Sequence, residues 1–166
     1  MIEMERLHRI WVSPLYRDYL SKIEEREKDR LFCKHDFAHG LEVARLSWIF
    51  SLEEGVVYAK DLVYAAAFLH DIGRWMEYDD HTRCHAHASA ELAESLLTEA
   101  GYSAYEKKLI KDAVREHRQG EEKLYSSPLS VFLRKADKYS RLCFQCSFCN
   151  LCYKSEKMPH SQRLIY

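Results

Sequence analysis

Glycine and proline are scarce in this chain, five and three among 166 residues. That excludes folds built from many short strands, which need a turn residue every few positions. Long apolar runs are missing too. The longest, Leu62 to Leu69, is far shorter than the roughly 20 residues of a membrane-spanning helix, and the opening stretch Met1 to Arg6 has no continuous apolar core of leader length. A soluble, cytoplasmic protein with no membrane partner is expected. Charge of one sign is also lacking: 25 basic and 26 acidic residues leave a formal charge of -1. Composition therefore offers no bulk attraction for a nucleic-acid polymer or an anionic bilayer, and any phosphate recognition must be local.

What is present is helical patterning. Apolar residues recur at three-and-four spacing almost throughout, which predicts an all-α fold with about six or more helices in a single compact domain spanning residues 1–166. Residues 1–35 form a helical extension and 142–166 a cysteine-rich C-terminal segment. Ser13 and Pro14 open a helix running to about Lys28. Asp36 caps the next, with His39, Val43, Leu46 and Phe50 on one face before Gly55. A third helix covers Val57 to His70, with Gly73 past its end as a stop. The fourth runs from His87 to Glu99 before Gly101, the fifth from Ser103 to His117, and the sixth opens at Ser127 and Pro128 and carries Asp137. The charge run Glu24 to Arg30 is expected to be a solvated helical end.

Nine histidines are many for this length, and their placement suggests chemistry. His39 lies on the face of Val43 and Leu46. His70 and Asp71 close a helix so apolar that its end must point into the core, where an aspartate is costly unless it is paired or bound to metal. Imidazole nitrogen and carboxylate oxygen hold Fe, Mn or Zn, and an aspartate beside a histidine can bridge two ions while its neighbour binds one. Any one helix-face histidine is more often a hydrogen-bonded core or surface residue than a ligand; the weight lies in the ordered set.

That set, Asp36-Phe37-Ala38-His39, then Leu69-His70-Asp71-Ile72-Gly73-Arg74, then Ala136-Asp137-Lys138, resembles the H...HD...D signature of the HD superfamily of metal-dependent phosphohydrolases. The likeness covers about Asp36 to Arg141 and implies the HD-type helical domain. In dinuclear members two histidines stand between the HD pair and the last aspartate, and His87 and His117 lie where those subfamilies place theirs. The resemblance thus implies two divalent ions (Fe, Mn, Co, Ni or Zn). Asp71 would bridge them, with His39, His70 and Asp137 on one and His87 and His117 on the other. His85 is a competitor for His87, although it is expected just before the helix. Glu116-His117 stands where some members have a double histidine.

Two ions so held would supply a metal-bound hydroxide as nucleophile for a phosphate ester of a nucleotide or small metabolite. Basic residues near the ligands could contact the phosphate: Arg74, Arg118, Arg134 and Arg141, the last two sharing a helical face with Asp137. By resemblance to HDxxK-type members, Arg74 takes the slot of the phosphate-binding lysine, making Asp71 and Arg74 the catalytic candidates. The same ligand order also resembles the mixed-valent di-iron oxygenases that share the fold, which need iron and dioxygen.

Six cysteines in an intracellular chain are read as reduced thiols or metal ligands. Cys143, Cys146, Cys149 and Cys152 fall at strict three-residue spacing, which invites comparison with zinc and iron-sulfur motifs. On a continuing α-helix the first and last would be about 13 Å apart at 1.5 Å per residue, too far for one tetrahedral ion. Either the helix ends near Leu142 and the cysteines wrap a metal in a loop, or they do not share one. In the simpler alternative the thiols, with Phe144, Phe148 and Leu151, pack the segment against the core. Cys33, Cys84 or His160 could complete a site.

Overall fold

A computed structural model describes residues 4–120 and 122–166; Met1 to Glu3, part of the stretch examined for a leader, lie outside the described residues. Among them the regular structure is helical, with no strand: α1 (Glu5–Val12), α2 (Pro14–Glu27), α3 (Phe37–Glu53), α4 (Lys60–Leu69), α5 (Arg74–Asp79), α6 (His85–Ala100), α7 (Ala104–Glu116) and α8 (Pro128–Tyr139), followed by three 3₁₀ turns. None is long and apolar enough to cross a membrane.

The core is organised around α4. Every side chain from Leu62 to Leu69 is buried, so this helix is apolar all round and is enclosed on all sides. Helices α3, α7 and α1 pack directly against it, α8 lies on α3 and α7, and α6 on α7. The enclosed position of α4 carries its C-terminal residues, His70 and Asp71, into the interior at 1% and 8% exposure.

The helix starts follow local chemistry. Asp36 Oδ1 accepts from the His39 N–H at 2.9 Å, fixing the first turn of α3. Ser103 and Glu106 form a reciprocal capping box on α7. Gly101 ends α6 in the left-handed region at φ 89°, where a side chain would strain the backbone. Arg6 ties α1 to the body: its guanidinium donates to Asp61 at 2.6 Å and Glu106 at 2.9 Å and lies over the Tyr102 ring.

Three sequence expectations are corrected. α4 begins at Lys60, three residues later than expected, because the chain is still extended at Ala59. Gly73 does not cap α4 through a left-handed turn; its φ is -89° and α5 begins at the next residue. A Cβ there would lie 2.5 Å from the Ser89 backbone nitrogen and 2.8 Å from the Ala88 carbonyl carbon, so glycine permits close approach to α6. The run Glu24 to Arg30 is not wholly solvated, since Glu27 is 2% exposed and continues the buried stripe Tyr16, Tyr19 and Ile23 of α2.

Candidate metal centre

The six ligand candidates come from five helices or their ends. His39 lies in the first turn of α3, His70 and Asp71 follow α4, His85 opens α6, His117 caps the end of α7, and Asp137 lies in the last turn of α8. Their ligand atoms form two groups: His39, His70, Asp71 and Asp137 in one, and Asp71, His85 and His117 in the other, each with all atoms within 4.8 Å of one another.

Asp71 belongs to both and divides its oxygens between them. Oδ2 is 3.1 Å from His70 Nε2 and 3.7 Å from His39 Nε2, while Oδ1 is 3.0 Å from His85 Nε2 and 3.8 Å from His117 Nε2. Asp137 Oδ1 completes the first group, 3.2 Å from His39 Nε2 and 3.7 Å from His70 Nε2. Two ligands each about 2.1 Å from one ion lie at most about 4.2 Å apart, so these spacings suit a shared cation.

The far nitrogen of each imidazole is held by a partner. His70 Nδ1 is 2.6 Å from the Ala67 carbonyl oxygen and His117 Nδ1 is 2.7 Å from that of Val114, so each ring donates its Nδ1 proton to backbone and turns the Nε2 lone pair to the centre. The Glu77 carboxylate holds His85 Nδ1, and Ser140 Oγ lies 3.2 Å from His39 Nδ1. Such partners set the tautomer of metal-binding histidines and raise their basicity. Inward, His39 Nε2, His70 Nε2 and Asp71 Oδ1 are buried without a hydrogen-bond partner. Buried polar atoms are rarely left so, and a donor set of imidazole nitrogens and carboxylates is chemically suited to a divalent cation.

Electrostatics point the same way. Burial alone would lower the His70 pKa, but Asp71 and Asp137 outweigh it and hold the imidazolium up to about 10. Burial would raise both carboxyls, yet they are kept well below the usual carboxylate range, Asp71 chiefly by the charge of His70 and Asp137 by the adjacent His39 and His70 imidazoles. His117 moves the opposite way, down to about 3, through burial and the charge of His70. Two carboxylates among buried imidazoles demand positive charge, and a metal ion can replace the proton.

One ligand expectation is corrected. His87 is exposed and takes no part in either group, whereas His85 is 3% exposed and provides Nε2 to the second. α6 starts at His85, two residues before the expected start. At 3.6 residues per turn, two positions rotate a side chain by about 200°, so only one of the two can face the centre. The other expected ligands, His39, His70, Asp71, His117 and Asp137, are brought together.

Three further residues, His35, Glu27 and Tyr78, were not foreseen. His35 Nε2 is 3.9 Å from Asp71 Oδ2, and its Nδ1 is 2.5 Å from Glu27 Oε1. Burial alone would raise the Glu27 carboxyl, but hydrogen bonds from His35 and from the Tyr78 hydroxyl bring it to about 2. Arg74 Nε donates to the same Tyr78 hydroxyl at 3.0 Å, and Arg74 Nη1 is 3.5 Å from Asp71 Oδ1 and 3.1 Å from His85 Nε2.

Asp71, His85, His117 and Asp137 open onto a cavity of about 490 Å³. Its walls carry all four arginines expected near the ligands, Arg74, Arg118, Arg134 and Arg141, together with Arg30, Lys138, Lys154 and Lys157. Among the described residues lining it, Asp71 and Asp137 are the only acidic ones. Arg118 pairs with Glu77 at 3.0 Å, and Arg134 and Arg141 donate to the carbonyls of Gln119 and Lys34. Of the cysteine run, Cys143 and Cys152 reach this wall.

The chain matches the HD domain family over residues 36–142. It is 35% identical over 149 residues to an uncharacterized protein of Clostridium beijerinckii, a match covering 90% of this chain and 92% of that protein. Among solved structures it is similar to a predicted HD superfamily hydrolase from an uncultured Thermotogales bacterium, at 28% identity and a TM-score of 0.56. That match covers 74% of this chain and 66% of the other. The family's divalent-metal chemistry and the two ligand groups support a metal-dependent hydrolase. On the family match, the shared fold and the histidine and aspartate cluster together, the chain belongs to the HD-domain family.

Proposed function

We propose that the chain hydrolyses a phosphate ester of a nucleotide or small metabolite, using two divalent ions that share Asp71. The observation that supports this best is the pairing of the two ligand groups with a cavity whose other charged lining residues, among those described, are basic. In this reading His39, His70, Asp71 and Asp137 hold one ion, and Asp71, His85 and His117 the other. Such ions lower the pKa of coordinated water toward neutrality and polarise a phosphoryl oxygen.

The chain's own residues do the rest. Arg74, with a side chain 15% exposed at the edge of the second group, offers a planar donor fork to phosphate oxygens, a contact that strengthens as charge develops on them. Arg118 and the more distant Lys154 and Lys157 raise the local concentration of an anionic substrate. Phe32, Tyr153 and Met158 line the same cavity and suit a flat apolar group such as a base. Glu27 and Tyr78 position His35 near Asp71 Oδ2 and Arg74 near Asp71 Oδ1.

The test is a phosphate-release screen of nucleotides and small phosphomonoesters, using metal-free protein reconstituted separately with Mn, Fe, Co, Ni and Mg. Release by at least one redox-inactive metal, lost in Asp71→Ala, is expected. No release from any ester with any metal would overturn the proposal.

A further inference from the structure

The cysteine run lies outside the metal centre, yet its period of three matches the local backbone. α8 ends at Tyr139, and the chain then advances by successive three-residue turns. The N–H of Cys146 donates to the carbonyl of Cys143, that of Cys149 to Cys146, that of Cys152 to Cys149 and that of Ser155 to Cys152, at 3.0 to 3.1 Å. The run is not one continuous helix, since Cys146 and Cys152 are extended between turns, yet all four cysteines border one side of the segment.

That side is a second cavity of about 330 Å³, lined by Cys143, Cys146, Cys149, Cys152 and, from the loop before α3, Cys33. Of the interleaved apolar residues, Phe144 is half-buried while Phe148 and Leu151 are exposed at 36% and 72%. Packing against the core therefore accounts for only the start of the run, where Cys143 is buried.

The spacing of the sulfurs selects between metals. Around one zinc ion at about 2.3 Å, tetrahedral thiolates lie about 3.8 Å apart. Among the described residues no three cysteine sulfurs fall within 4.8 Å of one another, whereas both histidine and aspartate groups do. Thiols spread around a roomy cavity, at the two-residue intervals of ferredoxin-type runs, suit a multi-atom cluster.

We propose that the Cys143, Cys146, Cys149 and Cys152 run, adjoined by Cys33, binds a cubane iron-sulfur cluster. Loading is ligation: each thiol gives up its proton and forms a bond to iron. Iron and sulfide are supplied at the cluster's mixed ferrous and ferric level, so no electron passes to or from the chain. Cys33, Cys143 and Cys152 also line the metal-centre cavity, so the cluster braces the wall that carries Lys154 and Lys157. The site itself does not depend on the hydrolase reading.

The test is iron and acid-labile sulfide analysis of anaerobically purified full-length protein, reconstituted with iron and sulfide. Histidine and aspartate ligands hold iron without sulfide, so sulfide reports the cysteine site alone. Roughly four sulfides per chain are expected, lost in Cys146→Ser/Cys149→Ser, which leaves three thiols at the cavity. They should be retained in Cys84→Ser, whose thiol is exposed and outside the cavity, and in Asp71→Ala. Wild-type protein that holds zinc there, that takes up no sulfide, or whose double variant keeps its sulfide would overturn the proposal. The wild-type count decides even if the double variant fails to fold.

Discussion

His85 Nε2 lies 3.0 Å from Asp71 Oδ1, while His87, two residues along the same helix, faces solvent. His85→Ala is therefore expected to lower the metal content toward one ion per chain, and His87→Ala to leave it unchanged. Elemental analysis of the two variants checks this; the reverse pattern would place His87 in the centre.

Asp71 faces both ligand groups with different oxygens, so Asp71→Ala should empty both positions rather than one. An atom-for-atom metal count on the folded variant, with helicity confirmed by circular dichroism, is the check. Two ions retained would rule out the shared carboxylate.

Much of this centre is legible in the sequence because its residues are tied to strong local signals. His39 follows a capping aspartate, and His70 and Asp71 end a helix whose apolar run fixes burial. The start of α6 carries no such signal. Its N-cap is Cys84, which makes no side-chain cap bond, and the frame of the two histidines is lost with it. A signal was nevertheless present: the buried stripe Ala100, Leu97, Leu96, Ala93 and Ser89, extended back by one turn, lands on His85. Likewise the stripe Tyr16, Tyr19, Ile23 leads to Glu27, masked by its charged neighbours. α5, six residues long, is too short to show a period, and the break between α1 and α2 rests on the same Ser13 and Pro14 that mark the start of α2.

Arg74 touches the edge of the second ligand group without being a ligand. Arg74→Ala should reduce phosphate-ester turnover about ten- to a hundredfold, corresponding to a charge-assisted contact of about 1.5 to 3 kcal/mol, with no loss of metal. Turnover and metal content must be measured on the same sample. An unchanged rate would remove Arg74 from the substrate contacts.

Gly73 admits α6 at a distance that a methyl group cannot share. Gly73→Ala should destabilise the protein by about 1 to 3 kcal/mol, read as a lower thermal midpoint. Its rate should also fall, because α5 carries Arg74 and Glu77.

Glu27 has a folded-state pKa of about 2 against an ordinary 4.5. Its contribution to stability is thus complete above about pH 4.5 and is lost as pH falls toward 2. Glu27→Gln should lower stability at neutral pH and flatten the acid limb of the unfolding curve between those values, measured by denaturant midpoints across pH. An acid limb as steep as that of the wild-type protein would contradict the assigned pairing with His35.

The central claim, hydrolysis at a shared-aspartate centre, is tested most directly by the origin of the oxygen in the product. With Mn- or Co-loaded protein, an ester found active in the screen, isotopically labelled water and no dioxygen, one labelled oxygen is expected in each released phosphate. Turnover that instead needs iron and dioxygen, with product oxygen traced to isotopically labelled gas and not to labelled water, would contradict it and make the centre that of a di-iron oxygenase.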